Sequence, residues 1–317
     1  MSSKKIRKHK GINQITGRLK KGYKYSGKKL KNSLPQIIKI NKKQNGGKVL
    51  GEGNYGCIIT PAYSCQNTDN IHNKVSKLSQ SQQKIDYDIY KSIRKIKNYD
   101  KFFIIPEESC IIESKHIHNN DKLDCKEIDL RQKLVLNQIM IKGDYDLYHM
   151  PTITSNKAIT YFKHLLNCIR VLSINKIAHL DIKSINILIH NDKPYLIDFD
   201  DTFNPRNWIE FKIFLDSFDH LTDEYIWPPE VYYYFKKFRK SIPPEIKEYL
   251  NNLHFYKRFI DKVMVYSLGL AFKNVKHNIK NDPLKSKLYK ELVSKMIEPN
   301  PYFRPTIAKC LLILRNL

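Results

Sequence analysis

Two short stretches of this chain gather the residue types that phosphoryl transfer requires. The first is His179-Leu180-Asp181-Ile182-Lys183-Ser184-Ile185-Asn186-Ile187-Leu188. Asp181 can accept a proton from a substrate hydroxyl, Lys183 can neutralise a transferring phosphoryl group, and Asn186 offers a side-chain oxygen to Mg²⁺. Twelve residues beyond Asn186, Tyr195-Leu196-Ile197-Asp198-Phe199-Asp200 closes a hydrophobic run with a carboxylate. Asp198 is thereby placed to bind a metal that bridges phosphates. A helix-to-strand turn capped by Asp and Asn is the plainer alternative for the first stretch.

Upstream, Leu50-Gly51-Glu52-Gly53-Asn54-Tyr55-Gly56-Cys57-Ile58 has the spacing G-x-G-x-x-G-x-[VI]. Glycines let backbone N–H groups approach phosphate oxygens because no Cβ intervenes. A dinucleotide-binding fold needs a helix to open at the third glycine, whereas Cys57-Ile58-Ile59-Thr60 favours a strand. The pattern therefore predicts a hairpin that covers phosphates. Val75-Ser76-Lys77-Leu78 alternates as a strand and offers Lys77 as a point charge for α- and β-phosphates, with Lys74 as competitor.

These residues need a scaffold. Short apolar runs at 49–50, 57–60, 75–78 and 134–141, with one helical stretch over 81–99, predict a small β-rich lobe. From Ile153 onward, Ile159, Phe162, Leu165, Leu166, Ile169 and Leu172 recur at three- and four-residue steps, which predicts a mainly helical second lobe. Gly143-Asp144 lies between the two regimes as the natural hinge. At 317 residues the chain exceeds one ordinary domain, and a bilobal α+β enzyme is the expected architecture: 46–143 for the small lobe, 144–317 for the large one.

The formal charge is +25, from 56 Lys+Arg against 31 Asp+Glu. Residues 1–51 hold 16 of the cations and no carboxylate, so the other 266 residues carry 40 against 31, an excess of +9. Residues 1–45 read as a basic, disordered arm, able to contact nucleic acid or another anionic surface. No window is long and apolar enough for a membrane span, and the basic start lacks the apolar core of a signal peptide. Cys57, Cys65, Cys110, Cys125, Cys168 and Cys310 are scattered without a C-x-x-C pair. That pattern argues against zinc and against a disulfide framework, and for an intracellular, reducing setting.

Taken in order, these motifs resemble the protein kinase superfamily over roughly residues 51–306, in its Ser/Thr branch because Lys183 follows Asp181 by two residues. The resemblance implies a kinase-like fold, ATP as phosphoryl donor with Mg²⁺ (Mn²⁺ as an alternative), and a protein substrate. It assigns Asp181 and Lys183 to catalysis and Asn186 and Asp198 to metal. Residues 50–58 and Lys77 go to ATP, with Asp86, or alternatively Asp88, as the helix acid that pairs with Lys77. Pro228-Pro229-Glu230 looks like the end of an activation segment, and Tyr266-Ser267-Leu268-Gly269 like the start of the large-lobe central helix. Pro299 to Thr306 looks like the late arginine motif, implying a buried Glu230–Arg304 ion pair.

Several residues depart from the family pattern. Asp200 stands where glycine is usual; it restricts the segment and could add a second carboxylate beside the metal. Leu180 replaces the arginine that receives an activation-loop phosphate, so activity is expected not to require phosphorylation of Thr202, Ser217, Thr222 or Tyr225. Asp86 is one methylene shorter than the usual glutamate. Met264 takes the place of an aspartate that Asp261, one turn earlier, could replace. Residues 231–260 read as an extra helical insertion. Asp200 favours a small-molecule phosphotransferase as the alternative function, and Asp86 with Met264 a catalytically weak pseudokinase binding module. The Lys/Asn/Ile-rich composition is similar in style to kinases of giant DNA viruses, which implies host cytoplasm or the virion.

Overall fold

The runs at 48–60, 74–80 and 134–141 are rich in β-branched and other apolar residues whose side chains fall alternately on two faces, and they pair as strands. The computed structural model describes residues 12, 23–29, 35–39, 48–53, 56–65, 71, 73–80, 86–114, 117, 125, 134–203, 228, 244 and 256–317. In the small lobe, β3 (Lys48–Gly53), β4 (Gly56–Thr60), β5 (Lys74–Gln80), β6 (Glu108–Glu113) and β7 (Leu134–Ile141) form an antiparallel sheet of order β3-β4-β5-β7-β6. Lys77 lies opposite Ile58 on one side and Gln138 on the other, in the middle of the sheet. Helix α1 (Asp86–Arg94) ends before the end of the 81–99 stretch; a left-handed Asn98 (φ 55°) leads into a 3₁₀ turn over Tyr99–Lys101 instead. The edge strand β6 is missing from the sequence prediction because its residues are half-exposed and its apolar run is short.

The basic arm differs from its prediction too. Tyr23–Lys29 (β1) and Pro35–Lys39 (β2) pair as an antiparallel hairpin within the segment whose composition implies disorder. A hairpin closes locally and needs little apolar content beyond residues such as Tyr25 and Ile37, which are paired in register.

The cysteines require a correction. Cys57 is bonded to Cys125 and Cys65 to Cys110, across sequence separations of 68 and 45 residues. Scattered spacing hid these pairs because the tertiary fold, and not sequence proximity, brings each pair of sulfurs together: Cys57 and Cys110 lie in β4 and β6, and Cys125 and Cys65 lie outside the strands. Glu52 also lies beside Cys57 and Cys125, but the two sulfurs are bonded to each other, which removes both as thiolate ligands for a cation. Closing loops of this size stabilises a fold by about 2–4 kcal/mol per bridge. Oxidised protein is therefore expected to melt well above the same protein in excess reductant; identical melts in thermal denaturation would show that the bridges contribute nothing.

In the large lobe, β8 (Tyr145–Asp146), β10 (Ile187–His190) and β11 (Lys193–Leu196) form a three-stranded sheet. Gly143 sits against Leu188, so closely that a Cβ would lie 2.3 Å from its side chain. Helix α2 (Ser155–Ile174) is capped by the Thr154 hydroxyl accepting from Lys157 N. It buries Phe162, Leu165, Leu166, Ile169 and Leu172 completely, each contributing about 1.5–3 kcal/mol of hydrophobic stabilisation. Phe162 stacks on Phe272 of α3 (Tyr256–Asn274), with ring centroids 3.8 Å apart. A further helical run comprises α4 (Pro283–Leu288), a π-turn (Tyr289–Val293) and α5 (Ser294–Met296), followed by α6 (Ile307–Arg315). An antiparallel β-sheet lobe beside a helical lobe is the bilobal α+β fold the sequence predicts. Among the described residues, no helix is long and apolar enough to cross a membrane.

Candidate active site

Strand β9 (Ala178–His179) emerges from the end of α2 and pairs with β12 (Thr202–Phe203), so the segment around Asp181 and the segment around Asp198 are laced together by backbone. Leu180 N donates to Asp201 O (3.0 Å), and Ile197 N donates to Asn186 O (3.1 Å). Beyond β9 the chain makes a 3₁₀ turn, Ser184–Asn186, that aims Asn186 back at Asp181. Asn186 Nδ2 donates to Asp181 Oδ2 at 2.6 Å and to Asp181 O at 3.0 Å, which leaves Asn186 Oδ1 as the acceptor atom for a cation. Lys183 Nζ stands 3.2 Å from Asp181 Oδ1.

His179 ties these pieces together. It is fully buried, its Nε2 faces Ile197 O at 3.2 Å, and Asp181 N donates to its Nδ1 at 3.4 Å. Both contacts are satisfied by the neutral Nε2–H tautomer. Burial accordingly lowers its pKa from 6.5 to about 4. A histidine whose folded pKa is depressed adds stability that is present above its unfolded pKa and is lost as pH falls through the folded one. Between pH 6.5 and about pH 4 this single group is expected to remove about 3 kcal/mol. Thermal melts over that window should fall steeply for the wild type and less steeply for His179→Gln; equal slopes would assign the acid sensitivity elsewhere.

Asp198 adopts a left-handed backbone (φ 59°), a conformation that aspartate tolerates better than most residues. The turn is pinned by Phe199, which is fully buried and packs on His179 (4.8 Å between centroids), edge-on to Phe103 (5.6 Å) and edge-on to Tyr90 of α1 (6.5 Å). On either side of this plug, Asp198 and Asp200 both reach Lys77: its Nζ lies 2.7 Å from Asp198 Oδ1 and also bonds Asp200 Oδ2. Burial alone would lower the Lys77 pKa, but Asp198 and then Asp200 outweigh it and hold the ammonium above its ordinary range. Burial raises the Asp181 carboxyl against the opposing pull of Lys183. It raises Asp201 to about 7, reinforced by Asp181, Asp200 and Asp198.

The glycine-rich segment is the β3–β4 turn. Gly56 has φ 145°, and a Cβ there would lie 1.8 Å from Leu78 O, so the third glycine seats the hairpin directly on the strand that carries Lys77. Gly51 has nothing within 4 Å of its Cβ position. This arrangement agrees with a further finding: the family model of the protein kinase domain matches residues 45–229, more than half of the chain. The chain belongs to the protein kinase family. No curated protein matches the sequence.

Within the kinase, Lys77 and Lys74 diverge: Lys74 pairs with Glu107 at 2.6 Å, on the other face of the sheet from the Asp198 segment. Asp86 is the first residue of α1, and its carboxylate, like that of Asp88, lies outside the described residues. Asn54, Tyr55, Pro229 and Glu230 lie outside them too, as do Ser217, Thr222, Tyr225 and nearly all of the 231–260 stretch. Thr202 is buried in β12. Arg304 is buried, and its guanidinium donates to Glu298 O from Nε (3.0 Å) and Nη2 (2.9 Å) and to Lys262 O from Nη1 (2.9 Å), over the ring of Tyr266. Met264 is buried in the core.

The family implies a nucleotide and a divalent metal, and the oxygens present suit a hard cation: Asp198 has 32% of its side chain open to solvent, beside Asn186 with its amide nitrogen already committed. Two participants escaped sequence reasoning. Tyr90 donates from its hydroxyl to Asp200 Oδ1 at 3.2 Å, and the only sequence signal for it is its place one helical turn after Asp86. Asp201 gave no signal beyond following Asp200.

Proposed function

We propose that this kinase transfers the γ-phosphoryl group of Mg·ATP to serine or threonine hydroxyls of proteins. The observation that carries the reading is the setting of Asp181, whose carboxylate is held by Asn186 at Oδ2 while Lys183 stands 3.2 Å from Oδ1. The substrate oxygen forms its bond to the γ-phosphorus as the bond to the ADP oxygen breaks, and the hydroxyl proton passes to Asp181 Oδ1. Burial makes that carboxylate a stronger base than a solvated aspartate. Lys183 stands where it can offset charge on the transferring group, and Lys77 with the Gly56 hairpin is suited to hold the remaining phosphates. Asn186 and Asp198 are the residues suited to hold Mg²⁺, which when bound neutralises charge on the phosphate oxygens.

Asp200 supports a second reading, a small-molecule phosphotransferase, because an acid in this position is also found in that class. Incubation with radiolabelled ATP, a generic basic protein and a panel of metabolites separates the two. Label on serine and threonine after acid hydrolysis is the expected result; label on metabolites alone would overturn the protein-kinase assignment.

A further inference from the structure

Among the described residues Lys77 has two carboxylate partners, and they are not equivalent. Asp198 keeps 32% of its side chain exposed, whereas Asp200 keeps 11% and divides its two oxygens between Lys77 at Oδ2 and the Tyr90 hydroxyl at Oδ1. We propose that Asp200 is a positioning residue that anchors Lys77 for nucleotide binding, with Tyr90 of α1 fixing the Asp200 carboxylate. The inference rests on the phosphotransfer reading and deepens it.

The physical reason lies in what each acid is left to do. A buried ammonium needs a permanent countercharge, since an unpaired one is costly to desolvate. If Asp198 were its sole partner, drawing Asp198 toward a cation would strip Lys77 of that charge just as the lysine must face phosphate. Asp200 removes the conflict: it stays with Lys77 while the more open Asp198 is released. Phe199, locked against His179, Phe103 and Tyr90, fixes the backbone between the two acids, whose carboxylates meet at Lys77 Nζ. Tyr90 makes the arrangement report on α1, because moving that helix withdraws the hydroxyl from Asp200. The linkage runs from helix to lysine through a residue of the Asp198 segment.

Steady-state kinetics over a range of Mg²⁺ concentrations test this. Asp200→Asn preserves the shape and removes the charge; the KM for ATP is expected to rise about tenfold, the scale of one charge-assisted hydrogen bond, with a smaller change in kcat because the lysine grips ground-state phosphate. Tyr90→Phe, which removes no charge but takes away the hydrogen bond to the Asp200 carboxylate, should raise KM in the same direction by about threefold. Asp200→Glu should recover part of the loss. An Asp200→Asn enzyme with unaltered KM overturns the anchor. So does one restored fully by excess Mg²⁺ beside a silent Tyr90→Phe, since that pair of results makes Asp200 a metal ligand. A wild-type protein that neither binds nor turns over ATP overturns the phosphotransfer reading and this inference with it, which distinguishes the two failures.

Discussion

Asp181→Asn lowers phosphoryl transfer by roughly 10²–10⁴-fold while the protein stays folded. Asparagine keeps the volume and retains an oxygen for Asn186 Nδ2, which lies 2.6 Å from Asp181 Oδ2, so the 3₁₀ turn of Ser184–Asn186 has no reason to rearrange. What disappears is the proton acceptor, together with the countercharge that faces Lys183 at 3.2 Å. The loss belongs in kcat, because a group that acts as the bond forms contributes nothing to ground-state binding of ATP. Single-turnover measurement with the label on the γ-phosphate reads it directly. Transfer at the wild-type rate would show that Asp181 is no base, and the proposed function would fall with it.

Arg304→Ala is expected to cost about 3–5 kcal/mol of stability, among the largest effects of any single change away from the active site. Arg304 is 1% exposed and is among the largest fully buried side chains. Removing it opens a cavity and leaves the carbonyls of Lys262 and Glu298 without the guanidinium that now satisfies them, while Tyr266 loses the cation over its ring. Arg304→Lys should recover only part, since one ammonium cannot donate in several fixed directions at once. Chemical denaturation of the three proteins gives the order wild type, lysine, alanine; an alanine variant as stable as the wild type would mean that these carbonyls find water without penalty. The partner expected from the sequence, Glu230, lies outside the described residues; the carbonyl contacts and the ring are the contributions seen among the described ones.

Much of the geometry of the candidate site is legible in the sequence because it consists of local spacings. The Asp181, Lys183 and Asn186 constellation spans six residues, and a turn of that length can bring its own side chains together with no help from elsewhere. The Gly56 hairpin is legible for a similar reason: strand-forming residues on both sides of a glycine leave few conformations open. The three- and four-residue periodicity of α2 likewise states which face is buried. By contrast, composition alone gives no sign of the hairpin of β1 and β2 within the basic arm, where Tyr25 opposite Ile37 is the apolar pair among lysine-containing ones.

What the sequence by itself determined is therefore the chemistry available and the kind of lobe that carries it. The partners across long separations came only from tertiary structure. Cys57 meets Cys125, and Lys77 meets Asp198 and Asp200 more than a hundred residues away, because the packing of the folded chain, with Phe199 pinned on His179 between the two acids, sets which side chains share a space. Spacing cannot encode such meetings: closing a loop costs only slowly more as it lengthens, so many distant pairings are nearly equal until a core selects among them. From the sequence, Asp200 reads as an acid in the usual place of a glycine and a candidate second carboxylate beside the metal. Only the fold turned it into the buried acid between Lys77 and Tyr90.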